Sequence, residues 1–513
     1  MLDYISTNFH PDIINLSCGL NICENLNKFN QICNKLTNKG TIIVSAFDNA
    51  GAISYPAAFN NVIGVTTGHF CNNVNEFEYI EDSIVNIAAK GSIQRLAWIK
   101  PEYILLGGNS FACAHVTVQI AKYLAEGLKT KEKILNKFKV NAVKIYTVKE
   151  GNYECKIPFS IKKAAIFPFN KEMHSLIRFY DMLSFEIADI YDSKYSAFVG
   201  STTTHLLNDP TLKEFTIKSI SYIEWDNFDT LILGHLDKLS NLTNNNKLVY
   251  NLIKKAIENK KNVYAFDDIS KLGINNENIY YPKVNDSNLP PNRFGMLYRI
   301  SKPVLGVFGT SSQQGKFTLQ MKIRRCLQKR GFKVGQIGTE PSSLLYGLDY
   351  VYPMGYNSSV YIKEFDAIRY LNYIINQLCL VNKDIIIVGS QSGTLPYDTG
   401  NLALFNIPQY NFLLGTQPDA VILCVNPFDD LFYIERTKNF IESSIECKVI
   451  ALVVFPMNLK DNWAGIYGGK IKIDDGFYIR FKDELSALFN IPIYRLDYDD
   501  IECLIENIIS FFS

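Results

Sequence analysis

Val304-Leu305-Gly306-Val307-Phe308-Gly309-Thr310-Ser311-Ser312-Gln313-Gln314-Gly315-Lys316-Phe317-Thr318 decides how the C-terminal part of this chain folds. Val304–Phe308 has the short apolar run of a buried strand, and Lys316–Lys329 reads as the helix that follows it. A glycine-rich turn between strand and helix directs backbone N–H groups at phosphate oxygens, and Lys316 adds a point charge. The spacing is one residue longer than the ordinary phosphate-loop pattern. It predicts phosphate contacts from Gly309, Thr310, Gly315, Lys316, Phe317 and Thr318.

Outward from this loop, strands alternate with helices. Lys333–Ile337, Asp384–Val388, Ala420–Val425, Val449–Phe455 and Ile493–Leu496 read as strands, with helices of ten or more residues between most of them. That alternation predicts a doubly wound α/β domain over 301–513. Upstream, Ala164–Phe169, Phe228–Leu233 and Asn262–Phe266 are strand-like, with helices around Met173–Leu183 and Leu248–Asn259, which predicts a Rossmann-like domain over 164–300. The Pro- and Asn-rich run Asn285–Asn292 marks its end. Asn170-Lys171-Glu172-Met173-His174 and His235 follow strands of this domain, where such sheets present ligand contacts. A lone histidine in such a place is more often structural.

Residues 1–128 hold the strands Asp12–Leu16 and Thr41–Ala46 and a helix from Ser110 to about Leu124. A lysine-rich stretch over 129–163 reads as a linker with a hairpin or small excursion. At 513 residues the chain is too long for one core, and roughly three domains are expected. A formal net charge of +1 gives no electrostatic case for nucleic acid or an anionic membrane. No apolar run reaches the roughly 20 residues of a membrane span. Eleven cysteines without metal-ligand spacing read as reduced thiols, which points to the cytoplasm.

Gly108-Asn109-Ser110-Phe111-Ala112-Cys113-Ala114-His115 delivers a serine to the first turn of an apolar helix. There the positive end of the helix dipole and nearby N–H groups can hold an oxyanion. By itself this is an ordinary N-terminal serine. Upstream, Val44-Ser45-Ala46-Phe47-Asp48-Asn49-Ala50-Gly51 ends a strand in an asparagine, and Tyr55-Pro56-Ala57 and Val62-Ile63-Gly64-Val65 follow. Together these motifs resemble the subtilisin-like serine proteases over about 120 residues. The resemblance implies Ser110 as nucleophile, Asn49 as oxyanion donor, and Ser17-Cys18-Gly19 as the strand laid against a peptide substrate. The family's Asp-Ser-Gly and His-Gly-Thr-His segments, which carry the other triad members, do not occur in this chain. His115 stands five residues on, about 500° around the helix and roughly 140° away from Ser110. His10 reads as a loop residue. Without a base, Ser110 is an ordinary alcohol.

The loop form Gly-Thr-x5-Gly-Lys resembles the dethiobiotin-synthetase branch of P-loop proteins. Gly335-Gln336-Ile337-Gly338-Thr339 and Gln417-Pro418-Asp419-Ala420 resemble segments of a relative that includes D-glutamate N-acetyltransferase. That resemblance implies ATP or GTP with Mg²⁺, with Gln336 and Gln391 near the site. Two acids of that pattern are missing, since Gly389 and Ser311 stand in their places, and Asp366 is the substitute weighed for Mg²⁺. No metal site belongs to the protein alone.

Three functions follow as expectations. In the first, a second chain supplies the missing Asp and His, and Ser110 cleaves a peptide. In the second, a nucleotide-dependent modifying enzyme uses the N-terminal part only to bind peptide. The third is a scaffold without chemistry.

Overall fold

The structure is a computed structural model; it describes all residues except 22–24, 50–52, 69, 82, 148–154, 194–195, 237–245, 275, 291–296, 363, 460–469 and 497–500. The chain divides into two compact units, Met1–Gly151 with Pro291–Leu297, and Asn152–Pro290 with Tyr298–Ser513. It is an α/β protein whose large sheets are mainly parallel. No helix among the described residues is long and apolar enough to cross a membrane.

The first unit is built on strands β1 (Ile13–Leu16), β2 (Ile42–Ala46), β3 (Ile63–Thr67), β4 (Phe77–Glu81), β5 (Ile87–Ala89) and β8 (Lys144–Thr147), in the order β1-β2-β3-β5-β4-β8. Only the β4–β5 pairing is antiparallel. β6 (Gln94–Ala97) and β7 (Tyr103–Leu106) form a separate hairpin. All five residues of β2 are buried, as expected of a central parallel strand covered on both faces. Helices α3 (Asn109–Ala125) and α4 (Lys131–Asn141) cover one face through Ala112, Val116, Ile120, Ile134 and Phe138. Helix α2 (Leu26–Asn38), capped by Asn25, packs Cys33 and Leu36 with Ile14, Leu16 and Ile43 in a separate core cluster. The stretch expected as a linker therefore carries a helix and an edge strand. Ile134 and Phe138, four apart on α4, bury one stripe between the lysines, and that stripe draws the segment into the core.

The second unit contains two parallel sheets. One orders β9 (Lys163–Phe167), β10 (Glu186–Asp192), β11 (Ile217–Ser219), β12 (Thr230–Leu233), β13 (Asn262–Ala265) and β14 (Ile279–Tyr280) as β11-β10-β9-β12-β13-β14. The order reverses between β9 and β12, which is the dinucleotide-fold arrangement and its switch point. The expected helix Met173–Leu183 is only His174–Arg178 followed by a 3-10 turn. The other sheet orders β15 (Val304–Gly309), β16 (Val334–Gly338), β17 (Tyr350–Val351), β18 (Ile385–Gly389), β19 (Ala420–Val425) and β20 (Lys448–Val454) as β17-β16-β18-β15-β19-β20, with Ile493–Arg495 outside β20. The two sheets share a core in which Met321, Leu345 and Tyr346 pack with Phe169 and Ile177. Tyr264 Oη adds a 2.6 Å hydrogen bond to the Pro341 carbonyl.

Candidate functional site

In the first unit the serine is held by a network from three strand ends. Gly108 has φ 151°, a region that favours glycine, and a side chain there would stand 3.0 Å from Asn49 Oδ1. Glycine thus lets Asn49 close on the start of α3, where its Oδ1 accepts the Asn109 N–H at 2.7 Å. With the carbonyl end occupied, Nδ2 is the end able to donate to an oxyanion. Buried Asn109 fastens the helix to β2 and β3. It donates to the Phe47 and Asp48 carbonyls at 3.1 and 2.9 Å and accepts from Thr67 N and Oγ1, both at 2.8 Å. The sequence reading passed over Asn109, although a carboxamide between Gly108 and the serine was the available signal.

Ser110 Oγ donates to the Ser17 carbonyl at 2.7 Å, and Ser17 Oγ donates to the Ser110 carbonyl at 3.2 Å. Asn15 Nδ2 supports Ser17 Oγ at 2.9 Å. Ser17, Cys18 and Gly19 are exposed, and Ser17 is the one hydrogen-bonded to the serine among the described contacts. A side chain on Gly19 would stand 2.6 Å from Ser54 Oγ. The Ser110 proton therefore points at a backbone carbonyl, which cannot take it. Among the described residues no imidazole or carboxylate is hydrogen-bonded to Ser110. His115 has its Nε2 buried without a partner, and burial, reinforced by Lys90, lowers its pKa. His10 is exposed.

In the second unit the Gly309–Thr318 loop is closed upon itself. Gln314 Oε1 accepts the Ser311 N–H at 3.0 Å and its Nε2 donates to Thr310 Oγ1 at 2.6 Å. Lys316 Nζ donates to the Ser311 carbonyl at 2.5 Å, and burial lowers its pKa to about 8. Gly315 adopts φ 72° at the helix start. These are contacts that a phosphate group would replace, so the residues fit one. Phe317 packs its ring against Phe179 and Tyr346 at centroid distances of 6.4 and 5.8 Å. Only its backbone N–H is suited to phosphate. Thr318 is half-buried.

The carboxylate nearest the loop was not foreseen. Asp429 accepts from Thr310 Oγ1 at 2.5 Å and from Asn426 N at 2.7 Å, and burial raises its pKa. Its signal was an acid shortly after the all-buried strand β19. Asp366 instead pairs with Arg369 at 3.1 Å in the first turn of its helix. Gln336 is fully buried with both amide atoms unpartnered. Gln391 donates to Thr339 Oγ1 at 2.9 Å and hydrogen-bonds Glu340. The space where an acid is missing at Gly389 is filled, since a Cβ there would stand 1.9 Å from Gln320 Nε2. No group of three or more metal-ligating side chains occurs among the described residues.

Residues 2–151 match the subtilase family model. Residues 294–455 match a model described as a domain of unknown function, the DUF1611 P-loop domain. The chain joins a subtilase-like domain to a P-loop domain. The narrower likeness to dethiobiotin synthetase and D-glutamate N-acetyltransferase is not among these matches. No curated protein matches the chain. A DUF1611 family protein from Anabaena variabilis is similar at TM-score 0.46 and 11% identity, over 68% of this chain and 99% of that one. A nucleotide-binding protein from Archaeoglobus fulgidus in complex with ADP is similar at TM-score 0.26 and 13% identity, over 41% of this chain and 88% of that one.

Proposed function

We propose that this chain is a serine-peptidase component whose base comes from a second polypeptide, coupled to a P-loop domain that binds ATP or GTP with Mg²⁺. The observation carrying the reading is the 2.7 Å hydrogen bond from Asn109 N to Asn49 Oδ1, which sets Asn49 beside Ser110 at a helix N-terminus. The exposed Ser17–Gly19 segment is suited to pairing with an extended peptide. On the nucleotide side, Lys316 and the loop N–H groups would hold the phosphates, and Mg²⁺ would lean on those phosphates and on Asp429. With Gln320 occupying the space at Gly389, slow turnover is expected. A peptide-handling module beside a nucleotide module suits maturation of a small peptide.

The hydrogen bond from Ser110 Oγ to the Ser17 carbonyl favours a second reading, in which the subtilase-like part binds peptide without cutting it. Labelling of Ser110 by a fluorophosphonate, with and without co-expressed protease-like chains, separates the two. Labelling that appears only with such a chain supports the first reading, and none with any of them supports the second.

A further inference from the structure

The β6–β7 hairpin, which runs into the glycines before Ser110, wears its polarity reversed. The cross-strand pairs Arg95–Leu105 and Ala97–Tyr103 set four side chains on one face of the ribbon. The pairs Gln94–Leu106 and Leu96–Ile104 fall on the other face. Gln94, Leu96 and Ile104 are half-buried, so theirs is the covered face. Arg95, Ala97, Tyr103 and Leu105 are all exposed, so theirs is the outward face. An antiparallel ribbon with one solvated face normally turns polar residues to the water. Here the outward positions hold alanine, tyrosine and leucine instead. Ile93 before β6 and Ile99 at the tip extend the apolar surface, at 73% and 90% exposure, with Leu105 at 70%.

Arg95 is the one charged residue among these positions. Its guanidinium carbon lies 4.0 Å from the centroid of the Tyr103 ring, so its charge is engaged within the same face. The ribbon is held at both ends. Gly108 N–H donates to the Gly91 carbonyl at 2.7 Å at the base, and Trp98 N–H donates to the Glu102 carbonyl at 2.7 Å near the tip. A side chain on Gly107 would stand 2.9 Å from the Gly91 carbonyl oxygen, which holds the base close to that strand end. A face fixed in this way loses little freedom when something covers it.

We propose that this face is a two-fold contact between two copies of the chain. Together with Trp98 at the tip, Ile93, Ile99, Tyr103 and Leu105 expose on the order of 600 Å², the upper end for the largest apolar patch of a monomer. Two copies laid face to face would cover about 1,200 Å², where specific, stable interfaces begin. A two-fold contact must complement itself. When two such ribbons pack antiparallel about an axis near Ala97 and Tyr103, the tip of each lies over the base of the other. Exposed Glu102 of each copy then approaches Arg95 of its mate, while exposed Lys100 stays at the rim. A lipid surface is the weaker occupant, because Ile93 and Leu105 lie toward the base and would stay uncovered when only the tip is immersed. The contact stands whether or not Ser110 is reactive.

Sedimentation equilibrium of the full chain between about 1 and 200 µM tests this, and the mass should rise to twice that of the chain. Ile99→Asp and Leu105→Asp, both changes at exposed positions, should each weaken the association about tenfold or more. Their melting temperatures should stay within about 2 °C of the parent, which shows that the fold is kept. Arg95→Glu and Glu102→Arg should each weaken it as well, and the two changes in one chain should restore it. A single-chain mass at every concentration overturns the proposal, with or without adsorption to vesicles of phosphatidylcholine and phosphatidylserine. So does a dimer that Ile99→Asp and Leu105→Asp leave intact, or a double charge reversal that associates no better than the single changes.

Discussion

Ser110 Oγ donates a hydrogen bond to the carbonyl of Ser17, 2.7 Å away, the residue that opens the exposed segment beside it. The proposed nucleophile and the segment proposed to dock peptide are therefore tied together, and anything that activates the serine must first break this bond. An incoming peptide that pairs with Ser17–Gly19 would compete for the same carbonyl.

Asn49→Ala should lower Ser110 acylation about 10²–10³-fold once a base is supplied, the usual cost of an oxyanion donor. It should leave peptide binding within a few-fold, because Asn49 hydrogen-bonds the helix start and not the Ser17–Gly19 segment. Labelling rates and peptide affinity on the same protein check this.

Lys316 is buried with its pKa near 8, so at about pH 8.5 a large share is uncharged before ligand arrives. Triphosphate binding should restore the charge and take up a proton, with little uptake at about pH 6, where the lysine is already protonated. Titration calorimetry in buffers of different ionisation enthalpy measures the uptake. Lys316→Ala should abolish both the uptake and the thermal shift.

The narrow gap between Gly389 and Gln320 yields a stability prediction. Gly389→Ala should cost about 1–3 kcal/mol by overpacking. Gln320→Ala in the same protein should recover part of that loss, a coupling of about 1 kcal/mol or more in a double-mutant cycle. Additive effects would mean that Gln320 swings aside without cost.

The His235–Asp267 pair makes stability depend on pH in a defined window. The His235 pKa is raised above 6.5 by the Asp267 hydrogen bond and charge, which outweigh the opposing burial. Its contribution is complete below about 6.5 and is lost as pH rises through the folded value. The Asp267 pKa is lowered below 3.8 by His235 against its own burial, so its contribution is lost as pH falls through that value. Asp267→Ala should therefore destabilise more at about pH 5.5 than at about pH 9, by denaturant melts at both.

Much of this was legible in the sequence because it is local. The helix Lys316–Lys329 and the strand β19 follow from apolar periodicity and glycine placement, and both match their expected bounds. The motif order around Asn49 and Ser110 marks the first unit as subtilase-like, in agreement with the family match over residues 2–151. What stayed hidden depends on contacts distant in sequence. Asp429 reaches Thr310 across 119 residues, and Gln320 fills the space at Gly389 from a different element. The partnership of His235 with Asp267 spans 32 residues and two strands, so His235 alone looked structural. The lysines of 129–163 masked the two-residue apolar stripe that buries α4.

The most direct test of the central claim is fluorophosphonate labelling of Ser110 in the isolated full chain, without and with about 0.5 M imidazole as a diffusible base. The account predicts background labelling in buffer, equal to that of Ser110→Ala, and a rise of about tenfold or more with imidazole that Ser110→Ala lacks. Rapid labelling without imidazole would contradict it, because the chain would then hold its own base. So would no labelling under any condition, because Asn49 and the start of α3 would then not form an acyl-transfer site.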